Sequence, residues 1–245
     1  MRKRSLLFIA SLILLLAAPV YAGTDANPGD IVINEIMQNP AAVDDTKGEW
    51  IEIYNNTGSA IDINGWTLKD DGSDSHVIAN GGPLTIPAGG YLVLCRNSDS
   101  AVNGGVSCDY QYSGFLLANS SDEVELIDDG STPQTIDRVV YDNGATFPDP
   151  NGKSMSYGGV ANGSTDPATD NDSGNRWGES TSTYGSGDYG TPGAKNDDVL
   201  AANAVTFSGI SAFQGPSNTV IILSLLGFSI LLFGGFWLRR RTPHS

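Results

Sequence analysis

Three glutamates could carry chemistry in this chain. Glu35 sits inside the apolar run IVINEIM (Ile31 to Met37), and Glu49 and Glu52 sit in EWIEIYN (Glu49 to Asn55). A carboxylate in an apolar strand is expensive to bury without partners, so these positions carry specific information. Two carboxylates facing each other can hydrolyse a glycosidic bond, one as acid and the other as base or nucleophile. The structural alternative is that each accepts hydrogen bonds from backbone or from Asn34, Lys69 or Arg138. The structural alternative is favoured.

Other chemistries find fewer parts. The chain has two histidines, His76 and His244, and the second lies in a terminal tail. A Ser-His-Asp triad would have to use His76, flanked by Asp74, Ser75 and Val77, with no group in view to orient it. Zinc needs several His or Cys ligands, and Cys95 and Cys108 are the only cysteines. On an oxidising side of a membrane these two are expected to form a disulfide worth roughly 3 kcal/mol, with two buried thiols as the alternative. Calcium is a further alternative, because Asp70-Asp71-Gly72-Ser73-Asp74 and the stretch from Asp166 to Asn175, with Asp170 and Asp172, cluster oxygen ligands on loops. Neither has EF-hand spacing. The sequence therefore assigns no catalytic residue, no cofactor-binding residue and no metal ligand.

The ends indicate location. Arg2, Lys3 and Arg4 precede an apolar run from Leu6 to Leu16, and Val20-Tyr21-Ala22 has small residues where a signal peptidase needs them. Residues 1–22 read as a signal peptide cut between Ala22 and Gly23. Thr219 to Leu238 holds no charged residue and is long enough to span a bilayer. Arg239, Arg240 and Arg241 follow, and clustered arginines stay on the cytoplasmic side. The expected topology is a single span (219–238), a cytoplasmic basic tail (239–245) and everything before it outside. An apolar helix with a basic end also resembles a bacterial sorting signal that a transpeptidase cuts. Residues 213–218 match neither motif of that kind, which favours a retained helix.

All 28 acidic residues fall between Gly23 and Asn218, against seven basic ones, a net charge of −21 over that stretch. A field of this sign repels phosphate backbones and anionic lipid, which argues against direct nucleic-acid binding. Four Asn-x-Ser/Thr triplets occur, at Asn55, Asn119, Asn162 and Asn171, a frequency that chance supplies in such a composition.

Between the terminal segments, short apolar runs alternate with Gly, Asn, Asp and Pro clusters, and no 3.6-residue pattern of useful length appears. Strands are expected at Ile31 to Met37, Glu49 to Asn55, Ile61 to Leu68, His76 to Ala79, Tyr91 to Cys95, Ile136 to Tyr141 and Lys153 to Tyr157. Phe115 to Ala118 and Val124 to Ile127 read as a hairpin. Such spacing indicates an all-β sandwich or barrel. Residues 158–190 are rich in Gly, Ser, Thr, Asn and Asp and read as irregular, with Trp177 able to pin them to the sandwich. Residues 23–29 read as a lead, and 197–218 as a membrane-proximal linker.

Eight pieces in order resemble the lamin tail domain. They are VINEIM (Val32 to Met37), EWIEIYN, IDINGWTL (Ile61 to Leu68), IPAGGYLVL (Ile86 to Leu94), the stretch from Asn119 to Leu126, IDRVVY (Ile136 to Tyr141), GKSMSY (Gly152 to Tyr157) and GTPGAKN (Gly190 to Asn196). The resemblance covers 30–196. It implies an Ig-like β-sandwich with 158–190 as a loop insertion, and glutamates that serve the fold in non-enzymatic modules. With a signal peptide and no coiled-coil rod or prenylation motif, the chain resembles the bacterial, membrane-anchored branch. Met155 and Tyr157 stand where the family usually has Leu and Arg.

The expected function is a non-catalytic cell-surface module for binding or scaffolding. Its partners would be the membrane, through its helix, and an extracellular protein or polysaccharide. The alternatives are calcium-dependent polysaccharide binding and hydrolysis by Glu35 and Glu52.

Overall fold

Alternation between two faces, broken once, sets the architecture. In β1 (Ile31–Met37) and β2 (Trp50–Asn55), Ile33, Ile36, Ile51 and Ile53 point to one core, while Met37 and Trp50 join a different apolar cluster. The computed structural model describes residues 26–161 and 163–199, all in one of the two units into which the chain divides. The signal peptide, membrane span and basic tail read from the sequence lie outside the described residues. Among those described, no helix is long and apolar enough to cross a membrane.

The remaining strands are β3 (Ile61–Asp62), β4 (Thr67–Lys69), β5 (Ser75–Val77), β6 (Thr85–Ile86), β7 (Tyr91–Cys95) and β8 (Tyr110–Gln111). They are followed by β9 (Ser121–Ile127), β10 (Thr135–Asp142), β11 (Met155–Tyr157) and β12 (Trp177–Glu179). A six-stranded sheet runs β12-β11-β1-β2-β7-β8, and a four-stranded sheet runs β10-β9-β4-β5. β3 and β6 make a small third sheet. Pairing is antiparallel except between β7 and β8.

The two large sheets enclose the main core. Ile33, Ile36, Ile51, Ile53, Leu92 and Leu94 of one meet Leu68, Val124, Leu126, Ile136, Val139 and Tyr141 of the other, all buried. Each such aliphatic side chain is worth roughly 1.5–3 kcal/mol when fully buried. The chain is mostly β, an Ig-like β-sandwich. The opposite face of the six-stranded sheet is covered too. There Met37, Trp50, Val93, Cys95 and Val106 pack together beneath Cys108 and Tyr184.

Cys95 and Cys108 form a disulfide, with Cα atoms 5.9 Å apart and a separation of 13 positions in sequence. The bridge sets Tyr110 and Gln111 beside the end of β7, where they form the parallel edge strand.

Some expected elements differ. The run Ile61 to Leu68 divides into β3 and β4, because Gly65, at φ +101°, turns the chain between them. Phe115 to Ala118 is not half of a hairpin; β9 pairs instead with β10 and β4. Side chains take up the backbone of that run. Leu117 N–H donates to Glu49, Ala118 N–H donates to Asp122, and the Ala118 carbonyl accepts from Tyr141. The stretch 158–190 holds more regular structure than its composition indicates: short helices α1 (Gly158–Ala161) and α2 (Pro167–Asp170), a 3₁₀ turn at Gly174–Arg176, and β12. Trp177 pins it by packing on Phe147 and Tyr157 and donating its indole N–H to the Asn171 carbonyl at 2.7 Å.

Candidate functional site

The break in alternation falls at Asn34. Pairing of β1 with β2 steps from Ile33–Ile53 to Glu35–Glu52, leaving Asn34 as an extra residue in a bulge. Asn34 and Glu35 thus both serve the face turned away from the main core, and Ile36 returns to it. Glu35 and Glu52 are direct cross-strand partners there, between Ser156 of β11 and Val93 of β7. Both glutamates are fully buried.

A closing segment, residues 180–199, lies over this row. Ser154 and Ser156, at 3.0 Å for the second, donate their hydroxyls to Glu35 Oε1, as does Ser180 at 2.9 Å. Thr191 donates its N–H to Oε1 at 3.0 Å and its hydroxyl to Oε2 at 2.7 Å. Glu52 accepts from Asn34 Nδ2 at 2.8 Å and from the Gly193 N–H at 2.6 Å. Asn196 completes the set, donating Nδ2 to the carbonyls of Asn34 at 2.8 Å and Tyr157 at 3.0 Å. Its Oδ1 accepts from Asn34 Nδ2 at 2.8 Å.

Two glycines make this closure feasible. A Cβ at Gly190 would come within 2.9 Å of the Trp50 ring. Gly193 has φ +84°, a conformation that other residues resist.

Burial pushes the Glu35 carboxyl up from its ordinary range, with the Ser154, Thr191 and Ser180 hydrogen bonds acting against it. Glu52 is also pushed up, first by burial and then by Glu35, against the bonds from Asn34 and Gly193. Glu49 lies apart from this pair, accepting from Leu117 N–H at 3.3 Å with Arg96 Nη1 3.9 Å away. Burial raises it to about 8 despite both. The expected cationic partners pair elsewhere: Lys69 with Glu125 at 3.6 Å and Arg138 with Asp71 at 2.7 Å. Glu35 and Glu52 are held by hydroxyls, an amide and backbone N–H groups instead.

A fourth acid escaped the sequence reading. Asp137 of β10 is buried and accepts from the Ile33 N–H at 2.6 Å, beside the bulge, and from Asn171 Nδ2 at 2.8 Å. Burial moves it up to about 7. Its signal was an acid in the otherwise apolar IDRVVY. Replacing Asp137 with Ala leaves two buried donors without an acceptor, at roughly 1–3 kcal/mol each. Urea denaturation should show a loss of about 2–4 kcal/mol. A loss below about 1 kcal/mol would mean the bulge does not depend on this carboxylate.

The other candidates are also engaged. His76 contacts the Ser113 carbonyl at 2.9 Å and the Tyr110 hydroxyl at 2.8 Å, joining β5 to β8 and the turn after it. In the first acidic loop, Asp70 accepts from Asp74 N–H at 3.0 Å and Asp74 from Leu116 N–H at 3.1 Å. In the second, Asp170 binds Arg176 and the Tyr157 hydroxyl, each at 2.7 Å. Among the described residues, no three His, Cys, Asp or Glu side chains are grouped to hold a metal ion. Surface depressions lined by Phe147 and Lys153, by Thr169 and Arg176, and by Val43 and Asn151 include none of Glu35, Glu49 and Glu52. Of the Asn-x-Ser/Thr triplets, Asn55 and Asn171 are fully buried, whereas Asn119 is exposed.

With sandwich, bulge and carboxylate row in place, residues 24–143 match the family model described as Lamin Tail Domain. Over those residues the chain is similar to the lamin tail domain family. No curated protein matches the chain. Lamin tail domains are an Ig-like family that is generally non-enzymatic. The matched stretch ends at Asn143, short of the Asn196 limit read from the sequence. Beyond it, β11 pairs with β1, and Thr191, Gly193 and Asn196 bond to β1 and β2.

Proposed function

We propose that the chain is a non-catalytic cell-surface module, a lamin-tail sandwich that binds or scaffolds an extracellular protein or polysaccharide. It is held to a membrane by the apolar stretch 219–238, in the manner of a bacterial anchored protein. The observation that carries the non-catalytic part is the burial of Glu35 and Glu52 under the closing segment, with their oxygens committed to hydrogen bonds. A hydrolytic pair must reach substrate and a water, and these reach neither. The tether rests on the charge pattern of the two ends: Arg2 to Arg4 before one apolar run, Arg239 to Arg241 after the other.

Two assays on the full chain test this reading. Protease added to intact cells should remove the 23–218 region while leaving the basic tail protected; full protection of that region would overturn the topology. Membranes carrying the chain should leave chromogenic glycosides and polysaccharides intact. Glycoside cleavage abolished by Glu52→Gln, with the fold retained, would overturn the non-catalytic assignment. Calcium should leave the melting temperature unchanged, since a ligand that binds only the folded state raises it. A calcium-induced rise would favour calcium-dependent binding instead.

A further inference from the structure

We propose that residues 191–196 form a strap that releases locally when the two buried glutamates beneath it ionise, uncovering Glu35 and Glu52 while both sheets stay folded.

The backbone on either side of the strap is held by bonds of its own. Tyr184 N–H bonds to the Asp188 carbonyl at 2.9 Å, Gly187 N–H to Tyr184 at 3.0 Å and Gly190 N–H to Ser182 at 2.8 Å. Asp197, just beyond the strap, ties its two sides together, accepting from the N–H groups of Thr181 at 2.7 Å and Ser182 at 2.8 Å. These bonds do not involve the carboxylate row and survive its ionisation. From Thr191 to Asn196, attachment to the sheet is polar and falls on Glu35, Glu52, Asn34 and the Tyr157 carbonyl, whereas Ser180, Ser186 and Tyr189 are fastened separately by backbone bonds to Ser154, Gly104 and Gly152.

The row lacks a counter-charge. None of the ion pairs among the described residues includes Glu35 or Glu52. The groups facing the pair are Asn34 from β1, Tyr54 and Tyr91 from β2 and β7, Ser154 and Ser156 at β11, Ser180, Tyr184 and Asp188 of the closing segment, and Thr191 and Asn196 of the strap. Every titratable member of that set becomes negative or stays neutral. Lys195, the strap's one cation, is exposed and pairs with neither acid. Two facing carboxylates that both ionise therefore repel each other with nothing beside them to screen the charge.

The direction follows from linkage. Both carboxyls are raised in the folded state, so closure binds protons. Closure is strongest below the ordinary glutamate range and weakens as pH rises through the folded-state values.

Hydrogen exchange on the full chain, with rates corrected for the intrinsic pH dependence, reads this out. Between pH 6 and pH 10, the Thr191 and Gly193 amides should lose protection by roughly tenfold per pH unit once the pair titrates, while Ile51 and Leu94 keep theirs. Glu52→Gln, which keeps an oxygen for Asn34 but cannot ionise, should shift or abolish that loss. Unchanged protection of Thr191 and Gly193 at pH 10, or their loss together with Ile51 and Leu94, overturns the proposal. Release in a folded Glu52→Gln protein at the wild-type pH overturns it too. If that variant does not fold, the wild-type comparison alone decides.

Discussion

Replacing Glu35 with alanine should destabilise the domain by about 3–5 kcal/mol, the cost of leaving several buried donors without their acceptor at roughly 1–3 kcal/mol each, less what they recover among themselves. The substitution strips an acceptor from Ser154, Ser156, Ser180 and both donors of Thr191. All of these are buried or half-buried, and water reaches them poorly. Each unsatisfied donor costs roughly 1–3 kcal/mol, with serine hydroxyls able to rotate toward one another and recover part of it. Ser156 and Ser180 already share a hydrogen bond and offer that escape. Glu35→Gln retains one acceptor oxygen, so its effect should be smaller. Urea denaturation of both variants measures the difference. A Glu35→Ala loss under about 1 kcal/mol would show that the acid is not a determinant of the fold.

Removing the disulfide by Cys95→Ala with Cys108→Ala is the second large effect. The bridge closes a loop of 13 residues' separation, and losing it frees the unfolded chain by roughly 3 kcal/mol. For a domain of this size that corresponds to a fall in melting temperature of roughly 6–12 °C. The native state loses something specific as well. β8 depends on the bridge for its place beside β7, and Tyr110 on β8 holds His76 and the Ala79 N–H, at 2.8 and 2.9 Å. Exchange at β8 and at Ala79 should therefore rise before that of β1 or β2. Equal melting temperatures for the oxidised wild type and the double variant would refute the stabilising role.

Much of this was legible in the residues. The strands with dense Ile, Val and Leu appear where they were expected, because alternation against a core leaves them few other conformations. The acids in β1 and β2 were recognisable as special for the same reason: desolvation makes an unpartnered glutamate untenable. Apart from Asn34, which does bond to Glu52 as expected, their partners were not legible, because serine, threonine and glycine are common everywhere in this chain and those donors lie over a hundred residues away. The bulge left a trace in VINEIM, where Ile33 and Ile36 are three apart and both face the core. A strict two-residue period cannot do that. Phe115 to Ala118 misled because Phe115 and Leu117 do pack inward, while its backbone is satisfied by acids and a tyrosine that no local pattern reveals. Residues 158–190 misled in the opposite way. Their polar composition hides the anchoring provided by Trp177 and by Asn171, which reaches β1 and Asp137.

The bonds from the closing segment to β1 also govern the order in which the domain can be completed. Thr191 meets Glu35 across 156 residues of chain, and Asn196 meets Asn34 across 162. Contacts so distant in sequence make for slow folding, because loop closure precedes any reward. A chain emerging amino end first holds β1 and β2 long before the residues that cover them exist. Until then both glutamates face water, where ionisation is harmless and helps keep the unfinished sheet soluble. The first strand is thus completed by nearly the last residues of the fold. A chain stopped before Asn196 is left with an open sheet face.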